Sequence, residues 1–267
     1  MREPTSAPAL LHAFLWRTWH ELRWRLIAPP LGYALLIMTL IGLAASYPER
    51  LNGADHMARL GVRNLGAGDR HAAVAVGLAF GLMPPLIATL TASVAAKNVR
   101  NIVGAERAAE TVEAILAAPV RRSSLLAALL GAGLTITAVT WALITGPVLG
   151  AGAVLLLAAD LRLAVPAGYL TLAILTPLPL AALGSGVVMA LALLVPQATD
   201  LRLGLSGNWL PRIGALPALL LFLIVAWFPD IDIALAFACS AAVAGTAALV
   251  SFGWLAWKFN PTILLEK

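Results

Sequence analysis

The chain has 267 residues, of which 61% are hydrophobic and 12% are charged, and it carries a net charge of +5. Soluble domains are roughly half apolar and a quarter charged, so this composition excludes an ordinary water-soluble protein and predicts a membrane protein. The positive charge is then explained by orientation in the membrane, and we expect no nucleic-acid partner. One cysteine and four scattered histidines offer neither a disulfide framework nor a metal site.

Residues 8–25 predict an amphipathic helix near the N-terminus. Leucine and tryptophan recur on one face and charged side chains line another, namely Leu11, Leu15, Trp19 and Leu22 against Arg17, Glu21 and Arg25. We expect this amphipathic helix to lie in the interface of the inner leaflet. The alternative is that it extends the first membrane-spanning helix.

Six apolar segments then follow that are long enough for membrane helices, at about 27–46, 72–95, 125–159, 163–195, 213–228 and 234–257. Lipid offers no partner to unpaired backbone groups, so all six should be helices. The third and fourth are too long for one simple crossing. Proline and glycine at 145–152 and 176–186 predict kinks or re-entrant pieces there. The sequence therefore predicts an all-α polytopic membrane protein with a single transmembrane domain, 1–267.

The basic residues predict the orientation of this domain. With the N-terminus in the cytoplasm, 13 of the 18 basic residues fall on inner segments and 5 on outer loops. This bias predicts cytoplasmic N- and C-termini in the cell (inner) membrane of a prokaryote. Indole rings prefer the headgroup level, so tryptophans should anchor the inner interface. The expected anchors are Trp16, Trp19, Trp24, Trp254 and Trp257.

A charged helix is predicted in the cytoplasm at 101–119, between the second and third spans. Glu106, Glu110 and Glu113 follow i, i+4, i+7 spacing and form one acidic stripe beside a small apolar patch. Pro119 ends the helix. An acidic, partly apolar helix just below the bilayer is suited to docking a basic soluble partner, although a solvated surface helix would show the same pattern.

The run Glu106-Arg107-x-x-Glu110-Thr111-Val112-Glu113-x-Ile115-Leu116-x-x-Pro119 resembles a cytoplasmic signature of type-2 ABC transporter permeases, E-R-E-x-G-T-L-E-x-L-L-x-x-P. The two agree at Glu106, Arg107, Thr111, Glu113, Leu116 and Pro119. Ala108 and Glu110 depart from the pattern, and the loss of glycine at 110 suggests a continuous helix where relatives bend. The six spans, the interfacial helix and the length of the chain are also similar to this family.

The resemblance implies a role for the segment and a set of partners. Residues 101–119 would act as a coupling helix seated in a separate ABC ATPase subunit, with Glu110 at a position where the family differs. The chain would be the permease of an exporter that moves a hydrophobic or amphipathic substrate, such as a drug, lipid or peptide. Two ATPase copies would hold ATP and magnesium, and a second permease, identical or a sibling, would complete the path. A haem-exporter-like permease is a variant of this expectation.

The chain has no phosphate loop of the form G-x-x-x-x-G-K-[ST] and no catalytic constellation, so we expect neither its own ATP binding, nor a cofactor, nor an enzymatic activity. Small residues in the spans serve close packing, whereas Thr135, Thr137, Ser185 and Ser240 are candidates for lining a path. Two alternatives stay open, an ATP-independent channel or carrier and a membrane assembly scaffold. The sequence leaves open the substrate, its entry route and the composition of the dimer.

Overall fold

The computed structural model describes residues 6–47, 53–65, 70–108, 120–158, 167–194, 209–228 and 230–258, and this part of the chain is almost entirely helical. Its elements are α1 (Ala7–Ser46), α2 (Ala54–Leu65), α3 (Arg70–Val76), a π-helix (Gly77–Leu82), α4 (Met83–Ala108), α5 (Arg122–Ala158), α6 (Ala167–Leu175), α7 (Pro177–Leu194), α8 (Trp209–Trp227) and α9 (Ile233–Lys258). The prediction of an all-α protein is confirmed.

Five stretches of the described chain are helical, long and apolar enough to cross a membrane, namely Arg23–Ser46, Ala73–Ile102, Ser123–Val154, Gly168–Leu193 and Ile233–Lys258. A shorter apolar helix lies at Pro211–Trp227. These stretches follow the six predicted segments in order and position, and the second runs further than predicted, to Ile102. The membrane-helix character of the chain is therefore supported, while the sixth crossing stays a prediction because that helix is short.

The predicted interfacial helix and the first predicted span form one continuous helix, α1, of 40 residues. The described structure thus matches the alternative, in which the amphipathic segment extends the first span. At 1.5 Å per residue α1 is about 60 Å long, roughly twice the thickness of the hydrocarbon core. Pro29 and Pro30 lie inside it, where they remove two backbone donors without ending the helix. That its N-terminal part lies in the interface stays a prediction.

The two overlong segments differ in how they accommodate proline. α5 continues through Pro147 as one helix, so a separate re-entrant piece is absent from its described residues. The fourth segment is broken at Thr176, between α6 and α7, because the following Pro177 disfavours the helical conformation of the residue before it. The amide and hydroxyl of Thr176 both donate to the carbonyl of Leu172, at 2.8 and 2.6 Å, which closes the last turn of α6.

Helix α2 lies in the predicted outer loop 47–71 and was not predicted. It packs on α3 and the π-helix through close backbone contacts. A side chain at Gly61 would collide with the carbonyl of Ala73, and one at Gly77 would collide with the carbonyl of Met57. His56 adds a polar tie, since its Nε2 lies 3.3 Å from the carbonyl oxygen of Val225 at the end of α8. Helix α2 is therefore an integral part of the bundle.

The π-helix was also not predicted, and α6 and α9 support it. The Tyr169 hydroxyl of α6 donates to the carbonyl oxygen of Phe80 within the π-helix. The Tyr169 ring stacks on Phe237 of α9, with centroids 5.8 Å apart. A single π-turn inside a helix is most often found near functional positions. Here it shapes the end of the bundle that α2 covers.

The bundle has two chemically different ends. At one of them, buried side chains of α1, α4, α5, α7 and α9 pack together, namely Leu10, Phe14, Val99, Leu125, Leu193 and Leu255. We call this the basic end, because the residues that flank this cluster include Arg17, Lys97, Arg100, Arg121 and Lys258. A larger cluster reaches the opposite end and includes Ala44, Leu60, Val76, Tyr169, Val225 and Ile233. These five basic residues are among those predicted to face the cytoplasm, and the side of the membrane that this end faces stays a prediction.

Candidate functional site

The basic end carries the segment that the sequence analysis singled out. Helix α4 ends at Ala108, so Glu106 and Arg107 fall in its last turn, and the predicted coupling helix begins as a continuation of the second span. The following helix, α5, begins at Arg122. The rest of the predicted contact surface lies outside the described residues, namely Glu110, Thr111, Glu113, Leu116 and Pro119.

The chain that returns from this segment is held against the bundle. Val120 is half-buried and packs on the apolar cluster of the basic end. Arg121 is exposed, and its carbonyl accepts the amide of Leu125 at 3.1 Å, which opens α5. The described chain on either side of residues 109–119 therefore belongs to the bundle, as the end of α4 and the start of α5.

Positive charge dominates the described side chains of the basic end. Arg17 donates from Nε to Oε1 of Glu21, one turn later, at 2.8 Å. Lys97 is exposed, whereas Arg100 is buried. This arrangement attracts anionic groups, either lipid headgroups or acidic surfaces of another protein.

The five expected tryptophan anchors are all exposed and lie on α1 and α9 towards the basic end, at Trp16, Trp19, Trp24, Trp254 and Trp257. Exposed indoles are compatible with the predicted anchoring at the membrane interface. Three also lie near charged or polar neighbours, and the Arg23 guanidinium lies 5.9 Å from the centre of the Trp24 ring. The ring of Trp16 lies 4.1 Å from that of His20, and the Lys258 ammonium lies 4.3 Å from the centre of the Trp257 ring.

Two of the four candidate path residues meet in the interior. Thr137 of α5 donates to the carbonyl of Gly133 at 2.8 Å, so it accepts from the hydroxyl of Ser185 of α7 at 2.9 Å. Both residues are buried, and their contact ties α5 to α7. The other two lie apart, since Thr135 is exposed and bonds its own helix, and Ser240 is half-buried on α9.

Small residues close the interior next to this pair. A side chain at Gly184 of α7 would collide with the carbonyl of Gly214 of α8, and a Cβ at Gly214 would lie 3.1 Å from the Cβ of Ala96 of α4. Three helices therefore touch almost backbone to backbone. Such contact is the packing role expected of small residues in membrane helices.

A set of buried polar atoms on α4 and α5 was missed by the sequence analysis. Thr91 and Asn98 stand seven residues apart on one face of α4, and both are buried. In the described structure Thr91 Oγ1, Asn98 Nδ2 and Thr145 Oγ1 of α5 lack hydrogen-bond partners. Buried polar groups at membrane depth are costly and are retained mainly for function. The seven-residue spacing of Thr91 and Asn98 is the sequence signal that marks this face.

Within the described ranges no three His, Cys, Asp or Glu side chains lie close enough to hold a metal ion. Comparisons with models of protein families, with curated protein sequences and with solved structures gave no match. The class that the fold and composition define is a helical protein with several apolar helices suited to cross a membrane. Any narrower function has to be argued from the residues described above.

Proposed function

We propose that this chain is the membrane-spanning permease subunit of an ATP-driven ABC exporter. The observation that carries the proposal is the run from Glu106 to Pro119, which resembles the coupling segment of type-2 permeases. Its first residues lie in the last turn of α4, at the basic end. By the bias of positive charge, that end faces the cytoplasm, which is the side on which a soluble ATPase would dock.

In this proposal the ATPase groove receives the acidic face of Glu106, Glu110 and Glu113, with the apolar Leu116 beside it. Closure of the ATPase on ATP displaces the segment and, with it, the adjoining ends of α4 and α5. Helix α4 touches α8 through Ala96, so the displacement reaches the centre of the bundle. In this proposal the shift of the packed helices changes access to the path.

The transported molecule is proposed to be hydrophobic or amphipathic, such as a drug, lipid or peptide. Large apolar side chains cover much of the outward surface of the helices, while charged groups are few. Two permease chains, identical or siblings, would enclose the path together with two ATPase subunits. The contact of Thr137 with Ser185 then belongs to the closed state of one chain, and its opening would expose polar groups to the substrate.

A second candidate is an ATP-independent channel or carrier, favoured by the buried polar atoms of Thr91, Asn98 and Thr145. Carriers place such groups where a solute binds at membrane depth. The two candidates differ in what they need. The exporter is inactive without its ATPase, whereas a channel or carrier moves solute when the chain alone is placed in liposomes.

The test is gentle purification of the tagged chain from its native membrane with crosslinking, followed by mass spectrometry of the recovered proteins. The exporter predicts an ABC ATPase at about one copy per permease chain, with crosslinks to residues 101–119. A chain recovered without any ATPase under repeated crosslinking would overturn the exporter. Solute flux in liposomes that contain this chain alone would then establish the second candidate.

A further inference from the structure

A groove of about 550 Å³ opens between α5 and α9 at the basic end. Its α5 side is one face of the helix, because the residues are spaced three and four apart, at Ser123, Leu126, Ala127 and Leu130. Ala256 and Trp257 form the α9 side. The volume lies in the range of small-molecule sites, roughly 300–1,000 Å³. Ala127, Ala256 and Trp257 are exposed, so the groove opens towards the outside of the bundle.

The floor of the groove is apolar and its rim is cationic. Leu126 is buried and Leu130 half-buried along the floor. We call Arg121 and Lys258 the rim, because they adjoin the lining residues in sequence. The Lys258 ammonium lies 4.3 Å from the centre of the Trp257 ring, and the exposed Arg121 stands two residues before Ser123. Both side chains are exposed, and among the described residues neither forms an ion pair.

The position of the groove relative to the spans matches the two ends of a lipid. Its walls are the first turns of the apolar stretch Ser123–Val154 and the last turns of Ile233–Lys258. The floor therefore lies beside hydrocarbon, and the rim lies at the headgroup level, where basic residues attract anionic lipids. Tryptophan at the same level is typical of the interface between hydrocarbon and headgroups.

We propose that this groove binds an anionic phospholipid. Its acyl chains lie on Leu126 and Leu130, and its headgroup phosphate lies between Arg121 and Lys258. A free phosphate ion would leave the apolar floor unused, and a zwitterionic lipid would gain little from two cations. The proposal rests on the membrane character of the chain and the groove, and it holds whether or not the chain is an exporter.

The test uses Trp257 as the probe, in bilayers whose lipids carry bromine on the acyl chains and quench nearby indoles. The difference between the native chain and Trp257→Phe isolates the signal of Trp257 from the other tryptophans. Quenching by brominated phosphatidylglycerol in phosphatidylcholine should saturate at a low mole fraction. Quenching by brominated phosphatidylcholine should instead rise in proportion to its mole fraction.

Matched variants distinguish binding of lipid by the rim residues from attraction by the general positive charge of the basic end. Arg121→Gln and Lys258→Gln should each raise the half-saturating fraction of phosphatidylglycerol about fivefold, the effect of roughly one kcal/mol per cation. Lys97→Gln removes an exposed charge at the same end but outside the groove, and should leave that fraction unchanged.

A second pair of variants tests whether the acyl chains occupy the floor of the groove. Ala127→Phe fills the groove and should lower the maximal quenching of Trp257, whereas Ala138→Phe, on an exposed part of α5 outside the groove, should not. Equal quenching of the native chain by both lipids would overturn the proposal. So would an unchanged half-saturating fraction in the combined Arg121→Gln and Lys258→Gln variant.

Discussion

The hydroxyl pair between α5 and α7 allows a direct test of how the interior of the bundle is packed. Thr137→Val keeps the shape of the side chain and removes its hydroxyl, while Ser185→Ala removes the donor. The two oxygens are 2.9 Å apart, and the residues are 0% and 4% exposed. A double-mutant cycle over these two changes isolates the energy of their contact.

The expected loss in the free energy of unfolding depends on whether a substitution leaves a buried hydroxyl without a hydrogen-bond partner. Thr137→Val leaves the buried Ser185 hydroxyl without its interhelical acceptor, which costs about 1–3 kcal/mol. Ser185→Ala costs less, about 0.5–1.5 kcal/mol, because Thr137 keeps its bond to the carbonyl of Gly133. The coupling between the two should be about 0.6 kcal/mol and at most about 1.7 kcal/mol, as for other hydrogen bonds between membrane helices.

The assay is reversible unfolding of the purified chain in mixed micelles by increasing sodium dodecyl sulfate, followed by circular dichroism. Thr135→Val is the matched control, since Thr135 is exposed and its hydroxyl donates to the carbonyl of Gly131 in its own helix. The control should show no coupling with Ser185→Ala. A coupling of zero for Thr137 and Ser185, in variants that all fold, would refute the buried contact.

Three further predictions concern the basic end and the helix contacts. Charge reversal by Glu106→Lys with Glu113→Lys should abolish substrate-stimulated ATPase activity of the assembled complex while the chain still inserts, because it removes the acidic docking face; normal stimulation would exclude a coupling role. A cysteine placed at Ala109 should react with an impermeant thiol reagent in inverted vesicles but not in intact cells, and the reverse pattern would invert the predicted topology. Gly184→Ala should destabilise the chain by about 1–3 kcal/mol through overpacking against α8. Gly150→Ala, where a Cβ meets nothing within 4 Å, should be neutral or slightly stabilising, and equal effects of the two alanines would contradict the close contact.

The apolar spans were predictable because lipid imposes one simple rule on sequence, a long apolar run that must be helical. Helix α2 obeys no such rule. It lies in a polar stretch, and Leu60 is fully buried only because α3 and the π-helix fold over it. The π-helix itself depends on a local shift of backbone hydrogen bonds, for which the sequence from Gly77 to Leu82 carries no recognised pattern.

Individual residues of the candidate site were predictable from the sequence, but the contacts between them were not. Thr137 and Ser185 were each singled out for their hydroxyls, yet their contact spans 48 residues and depends on how α5 packs on α7. Asn98 was overlooked because a single amide in an apolar run carries little signal without its neighbour Thr91. The coupling role of residues 101–119 was predicted from a resemblance alone, and most of this segment lies outside the described residues.

The proline pair of α1 sets where that helix can bend. Pro29 and Pro30 have no amide hydrogens, so the carbonyls of Arg25 and Leu26, four residues earlier, accept no bond from within the helix. Two such carbonyls are costly in hydrocarbon and cost less where water can reach them. Leu10 and Phe14 before the prolines and Ile37 after them are buried against the bundle, so neighbouring helices hold α1 in place on both sides of the two missing bonds.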